Sequence, residues 1–136
     1  MTQISKVQDL LERSVQKVSQ LQCALVVSVD GLLLCHSPAS PRESGEVDKR
    51  AAMASALANL AVRIAEEEGM GAIDHAFVQA EGGLCMFGMT GSSVIGLYCD
   101  SEAELGAVGY ELAVLMEQLP SLLVGETPRF VLSGAS

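Results

Sequence analysis

"CALVVSVDGLLLCHS", residues 23–37, is two apolar runs hinged on Asp30-Gly31. An Asp-Gly pair between such runs predicts a two-residue hairpin turn, because both central positions must accept a positive φ. Strands are expected over residues 23–29 and 32–36. The second is nearly continuous in apolar residues, as a strand covered on both faces would be. Upstream, Ile4, Val7, Leu11, Val15 and Val18 recur at three- and four-residue steps among charges and Gln. That spacing predicts an amphipathic helix over residues 2–20.

Downstream of the hairpin, "SPASPRESGE" reads as a loop and leads into a helix over residues 47–68, stopped by Gly69-Met70-Gly71. A strand over 76–80 passes through Glu81-Gly82-Gly83 into a strand over 84–89. Thr90-Gly91-Ser92 then opens a strand over 93–99. Ser101-Glu102-Ala103-Glu104 has the form of a capping box. It introduces a third helix striped by Leu105, Val108, Leu112, Leu115 and Leu119, with Pro120 as its end. The order is α-β-β-α-β-β-β-α. Hairpin connections make the expected sheet mostly antiparallel and the class α+β. Residues 1–120 form the expected domain. Residues 121–136 form a tail with apolar pieces of its own, Leu122-Leu123-Val124 and Phe130-Val131-Leu132.

Composition narrows the function. The 136 residues suit one domain with a real core. Hydrophobic residues make up 49% and aromatics 4%, so the core is built from Leu, Val, Ala and Met. An apolar excess without a long apolar run predicts surface that another chain covers. No window approaches the roughly 20 apolar residues of a membrane span, and the N-terminal segment lacks the apolar region of a signal peptide. The expected location is the cytoplasm. A net charge of −9 with eight scattered basic residues argues against nucleic acid and against anionic membranes. Acidic charge of this size serves solubility or attraction to a basic protein face. Cys23, Cys35, Cys85 and Cys99 lie in strand-like apolar contexts without a CxxC pair. They are expected to be buried free thiols rather than zinc ligands or a redox dithiol.

The middle helix shows two apolar stripes. Met53, Leu57, Leu60 and Ile64 form a stripe of large side chains, suited to filling space above a sheet. About 140° around lies a stripe of small ones, Ala51, Ala54, Ala58, Val62 and Ala65. Small residues let another helix approach closely, so this second stripe is expected to meet its symmetry mate in a homodimer. Two blander readings compete: alanine as a good helix former at a half-exposed edge, or packing by another helix of the same chain.

With these elements in place, the chain resembles the roadblock domain family, the dynein light-chain type that includes bacterial MglB-like proteins. The likeness rests on "LQCALVVSVDGLLLC" after an opening helix, on "VDKRAAMASALANLAVRIAEEEGMGAIDHAFVQAEGGLCMFG", and on "SSVIGLYCDSEAELGAVGYELAVLMEQL". It covers residues 3–119. The resemblance implies a roadblock/profilin-like five-stranded antiparallel sheet, with the middle helix on one face and the terminal helices on the other. It implies a homodimer through the middle helix and third strand, adding Phe77 to the alanine stripe as interface. It further implies a non-catalytic regulator or scaffold for a Ras-like small GTPase, in some relatives beside sensor-kinase-like proteins. The loop over residues 37–45 is longer than usual for the family, and residues 121–136 lie outside the likeness.

No catalytic or cofactor pattern competes with that reading. "GGLCMFGMTGSS" lacks the GK[ST] ending of a phosphate loop and opens no helix. No G-x-S-x-G elbow is present. His36 and His75 stand at strand ends with nothing local to orient them as bases. Cys35, His36 and His75 have no metal-ligand spacing. Arg50 and Arg63 are candidate partner contacts, as an arginine finger toward a GTPase or as simple surface charge. Glu66 and Glu67, in a Glu66-Glu67-Glu68 run that opposes the helix macrodipole, are candidate contacts for a basic partner. The rival functions are a small-ligand sensor and a passive scaffold for other partners.

Overall fold

The computed structural model describes residues 3–38 and 44–123. Its elements run α1 (Gln3–Lys17), β1 (Leu21–Ser28), β2 (Leu33–Ser37), α2 (Ser44–Glu67), β3 (Ala76–Ala80), β4 (Gly83–Thr90), β5 (Ser93–Cys99) and α3 (Leu105–Leu123). The five strands form one antiparallel sheet in the order β2-β1-β5-β4-β3. Order, class and layering are those expected.

Strand alternation divides the core in two. Ala24, Val26, Met86, Ile95 and Leu97 point to the side where α1 contributes Val7 and Leu11, and α3 contributes Val108, Leu112, Leu115 and Leu119. Cys23, Leu25, Val27, Phe87 and Val94 point to the other side, under α2. Gly88 permits the first packing. A Cβ there would stand 2.5 Å from Met116 Sδ and 3.3 Å from the methyls of Leu112. Glu111 of α3, only 4% exposed, ties the terminal helices together. It accepts a hydrogen bond from Ser14 Oγ (2.5 Å) and an ion pair from Lys17 Nζ (3.0 Å). A buried carboxylate needs such partners.

Several local expectations shift. The first hairpin turns through three residues, not two. Gly31 N–H bonds the Ser28 carbonyl (2.9 Å) and Ser28 N–H bonds the Leu32 carbonyl (2.8 Å), so Val29 and Asp30 occupy the centre of the turn. Gly31, at φ 93°, takes the left-handed position that follows. The helix α1 ends at Lys17, three residues early. The capping box does not form. Asp100 Oδ1 accepts the Glu102 N–H (2.9 Å), making a turn over 100–103 that delays the helix until Leu105. Pro120 sits inside α3 rather than ending it. The helix continues one turn because Leu119 and Leu123 are both buried in the core (0% and 3% exposed). The packed domain therefore reaches Leu123, and Phe130-Val131-Leu132 lies outside the described residues. At the other stop signal, α2 closes as expected of glycine. Met70 N–H bonds the Ala65 carbonyl (2.8 Å), Gly69 N–H bonds the Glu66 carbonyl (3.2 Å), and Gly69 has φ 66°.

Candidate interaction surface

The two stripes of α2 exchange the roles assigned to them. Ala51, Ala54 and Ala58 are 0–1% exposed and face the chain's own sheet, packed with Leu25, Val27, Phe87 and Val94, and Ala65 is 4% exposed. The sheet already supplies the bulk, so the helix contributes small residues and its backbone comes close. Two hydrogen bonds hold this rotation. Ser55 Oγ donates to the Val29 carbonyl at 2.7 Å, and Asn59 Nδ2 donates to the same oxygen at 3.0 Å. The four alanines have no surface left for a second copy, which corrects the dimer stripe. Val62, its fifth member, is half-buried at the C-terminal end of α2.

The large stripe is the exposed one. Met53, Leu60 and Ile64 are 64%, 57% and 52% exposed. Met53 and Leu60 border the part of the sheet that α2 leaves open. Between them and the strands runs an apolar groove of about 460 Å³, floored by Cys85, Phe87 and Tyr98 and walled by Met53, Leu57 and Val78. Val78 lies opposite Cys85 in the β3–β4 register and is 50% exposed. Phe77 is 45% exposed but pairs with Met86, whose side chain belongs to the α1–α3 core. Phe77 therefore stands on the sheet face away from α2, and Val78 is the strand residue that continues the α2 surface. Beyond both, among the described residues β3 pairs with β4 alone and forms the edge of the sheet. A strand edge with exposed apolar residues is a template for another strand.

The charged candidates separate. Arg50 is held at one end of the groove, its guanidinium 5.3 Å from the centre of the Tyr98 ring and 3.9 Å from Glu46. Tyr98 donates its hydroxyl hydrogen to the Arg50 carbonyl at 3.2 Å. Arg63 is exposed and pairs with Glu67 at 4.0 Å one turn on. Glu66 is exposed on a different arc and borders a second groove near the C-terminal end of α2. These four side chains do not converge on one point.

Nor do the candidate ligands. Cys35 faces the α1 side and donates to Gln8 Oε1 at 2.7 Å. His36, opposite Leu25, points to the α2 side. His75 precedes β3, at the far edge of the sheet from β2. Four strand spacings of about 4.8 Å separate those edges. Among the described residues no three His, Cys, Asp or Glu side chains gather as a metal site. All four cysteines are free thiols, three buried and Cys85 half-buried. Burial pushes Cys35 and Cys99 up to about 11 and raises Cys23 and Cys85, so each stays a protonated, poorly nucleophilic thiol at neutral pH.

A sequence model of the Roadblock/LC7 domain matches residues 7–96, spanning the hairpin, α2, the open edge strand and most of β5. The chain belongs to the Roadblock/LC7 domain family. The Roadblock/LC7 domain from Streptomyces avermitilis superposes with a TM-score of 0.78 at 25% identity, over 86% of this chain and 97% of that one. Myxococcus xanthus MglB gives 0.77 at 15% identity, over 90% of each chain. An MglB with tetrameric arrangement gives 0.78 at 18% identity, again over 90% of each. At such identities the MglB matches show the fold. No curated protein sequence matches the chain. Among the described residues no helix is long and apolar enough to cross a membrane.

The sequence contained both stripes, and one further signal went unread. The two-residue loop Glu81-Gly82 sets Ala80 opposite Gly83, and hence Val78 opposite Cys85. That parity places Val78 rather than Phe77 beside α2.

Proposed function

We propose that this roadblock domain is a non-catalytic homodimeric module that binds and regulates a Ras-like small GTPase. One observation carries the self-association. Met53 and Leu60, each more than half exposed, line with Leu57 and Val78 a groove beside a sheet edge that has no strand beyond it among the described residues. Two copies meeting about a two-fold axis would cover both stripes and extend one sheet through paired β3 strands, with Phe77 packing across that seam. The tetrameric arrangement of one MglB supports self-assembly as a habit of this fold. Membership of the Roadblock/LC7 family supports the choice of a small GTPase as partner. The reading is supported by a surface that offers apolar area beside an open strand edge.

In this assembly Arg63 and Glu67 remain exposed on α2 and are available to a partner. Arg50 is engaged with Tyr98 and stiffens the groove instead of reaching outward. Regulation would therefore act by docking and by ordering the GTPase's own residues. The test is association of the purified chain with Ras-like GTPases of its source organism, each loaded with GDP or a non-hydrolysable GTP analogue. The expected result is binding that differs at least tenfold between the two nucleotide states for one of them. Absence of binding in both states across the set contradicts the reading.

A further inference from the structure

The second groove has a volume of about 630 Å³ and lies where the C-terminal end of α2 and the following loop approach the β4–β5 turn. Val62, Ala65, Ala72, Ile73 and Met89 give it an apolar wall, and Glu66 stands on its rim. The last turn of α2 carries acidic residues and no basic one. An acidic helix C-terminus opposes the helix dipole, so a cation at this rim would be favoured. An apolar segment next to a positive charge fits both features.

The chain has such a segment. Residues 124–136 extend beyond α3, and within them Arg129 directly precedes Phe130-Val131-Leu132. The departure point is also suitable. Helix α3 passes Gly88 at Leu112 and Met116 and continues toward the β4–β5 turn, the end where the groove opens. Phe130 follows Leu123 by seven residues, a reach of up to about 23–25 Å. Crossing from the α3 layer past the sheet to the α2 layer requires about 20 Å. We propose that this groove is the docking site for the chain's own C-terminal segment, with Phe130 and Leu132 against its apolar wall and Arg129 paired with Glu66. The segment then covers the open end of the α2 layer, apart from the face assigned to the second copy.

Hydrogen exchange on the full-length chain tests this, comparing wild type with Phe130→Ser/Leu132→Ser. Amides of residues 69–73 and 89–91 are expected to exchange at least tenfold faster in the variant. Those of α1 and α3 should be unchanged, which also reports that the variant is folded. Equal exchange at 69–73 and 89–91 in the two proteins overturns the proposal. Protection that disappears on dilution of the wild type also overturns it, because the occupant is then another molecule. The charge pair is read separately. Arg129→Glu should reproduce part of the effect, and Glu66→Arg/Arg129→Glu should restore protection. A double variant as unprotected as Arg129→Glu alone contradicts the assigned pair.

Discussion

The two apolar faces of α2 differ in almost every physical respect. The inner face consists of alanines at 0–4% exposure, anchored by Ser55 on the Val29 carbonyl, with bulk supplied from below by Leu25, Val27 and Phe87. The outer face consists of Met53, Leu60 and Ile64, each more than half exposed. Size and burial run opposite to the usual expectation. Packing against a pleated sheet rewards complementarity, and a sheet already furnished with large side chains takes small ones from the helix. Large exposed apolar residues mark an interaction surface, which the proposed second copy would cover.

The contrast breaks most visibly on the inner face. Ala58→Leu or Ala54→Leu should overpack the sheet contact and cost about 1–3 kcal/mol, lowering Tm by roughly 4–12 °C. Thermal unfolding at fixed protein concentration checks this, and an unchanged Tm would show that the inner face has room. Ser55→Ala removes one of the two donors on the Val29 carbonyl. It should cost about 1 kcal/mol, because Asn59 keeps that oxygen satisfied. On the outer face the effect is on assembly rather than on the fold. The wild-type Tm should rise with protein concentration, whereas that of Met53→Ser/Leu60→Ser should not.

A further difference appears at Cys85, half-buried in the groove. Its labelling by a thiol reagent should be several-fold faster in Met53→Ser/Leu60→Ser than in wild type. Labelling of Cys35 and Cys99 should stay slow in both. The buried thiols also set a smaller pH effect. Burial raises Cys35 and Cys99 from 9 to about 11 in the folded chain, so the unfolded chain ionises first. Their contribution to stability is complete below pH 9 and is lost as pH rises through 11. Denaturant titrations across that window should show the decline.

Element order, the class, the sheet's hairpins and the glycine stop after α2 were all legible in the sequence, because each rests on local chemistry. The hairpin spacing, the strand alternation and the Gly69 end of α2 are decided within a few residues. What misled was partly a competing local turn and partly tertiary packing. Ser101 reads as a cap until Asp100 takes the neighbouring N–H, and Pro120 reads as a stop until the burial of Leu123 carries the helix past it. The orientation of α2 was harder still. Two apolar stripes on one helix do not say which of them meets the sheet. That depends on the volume of Leu25, Val27 and Phe87, residues distant in sequence, and on a carbonyl in the first hairpin. The candidate surface was half legible. Its elements were identified, while its residues required the direction each side chain takes.

The central claim is that the outer face of α2 joins two copies of the chain. Light scattering of wild type beside Leu60→Glu/Ile64→Glu tests it most directly. The account predicts a wild-type mass twice that of the 14.2 kDa chain and a double variant at the single-chain mass with its far-UV circular dichroism unchanged. A wild type at the single-chain mass, or a folded double variant that keeps the doubled mass, would contradict it.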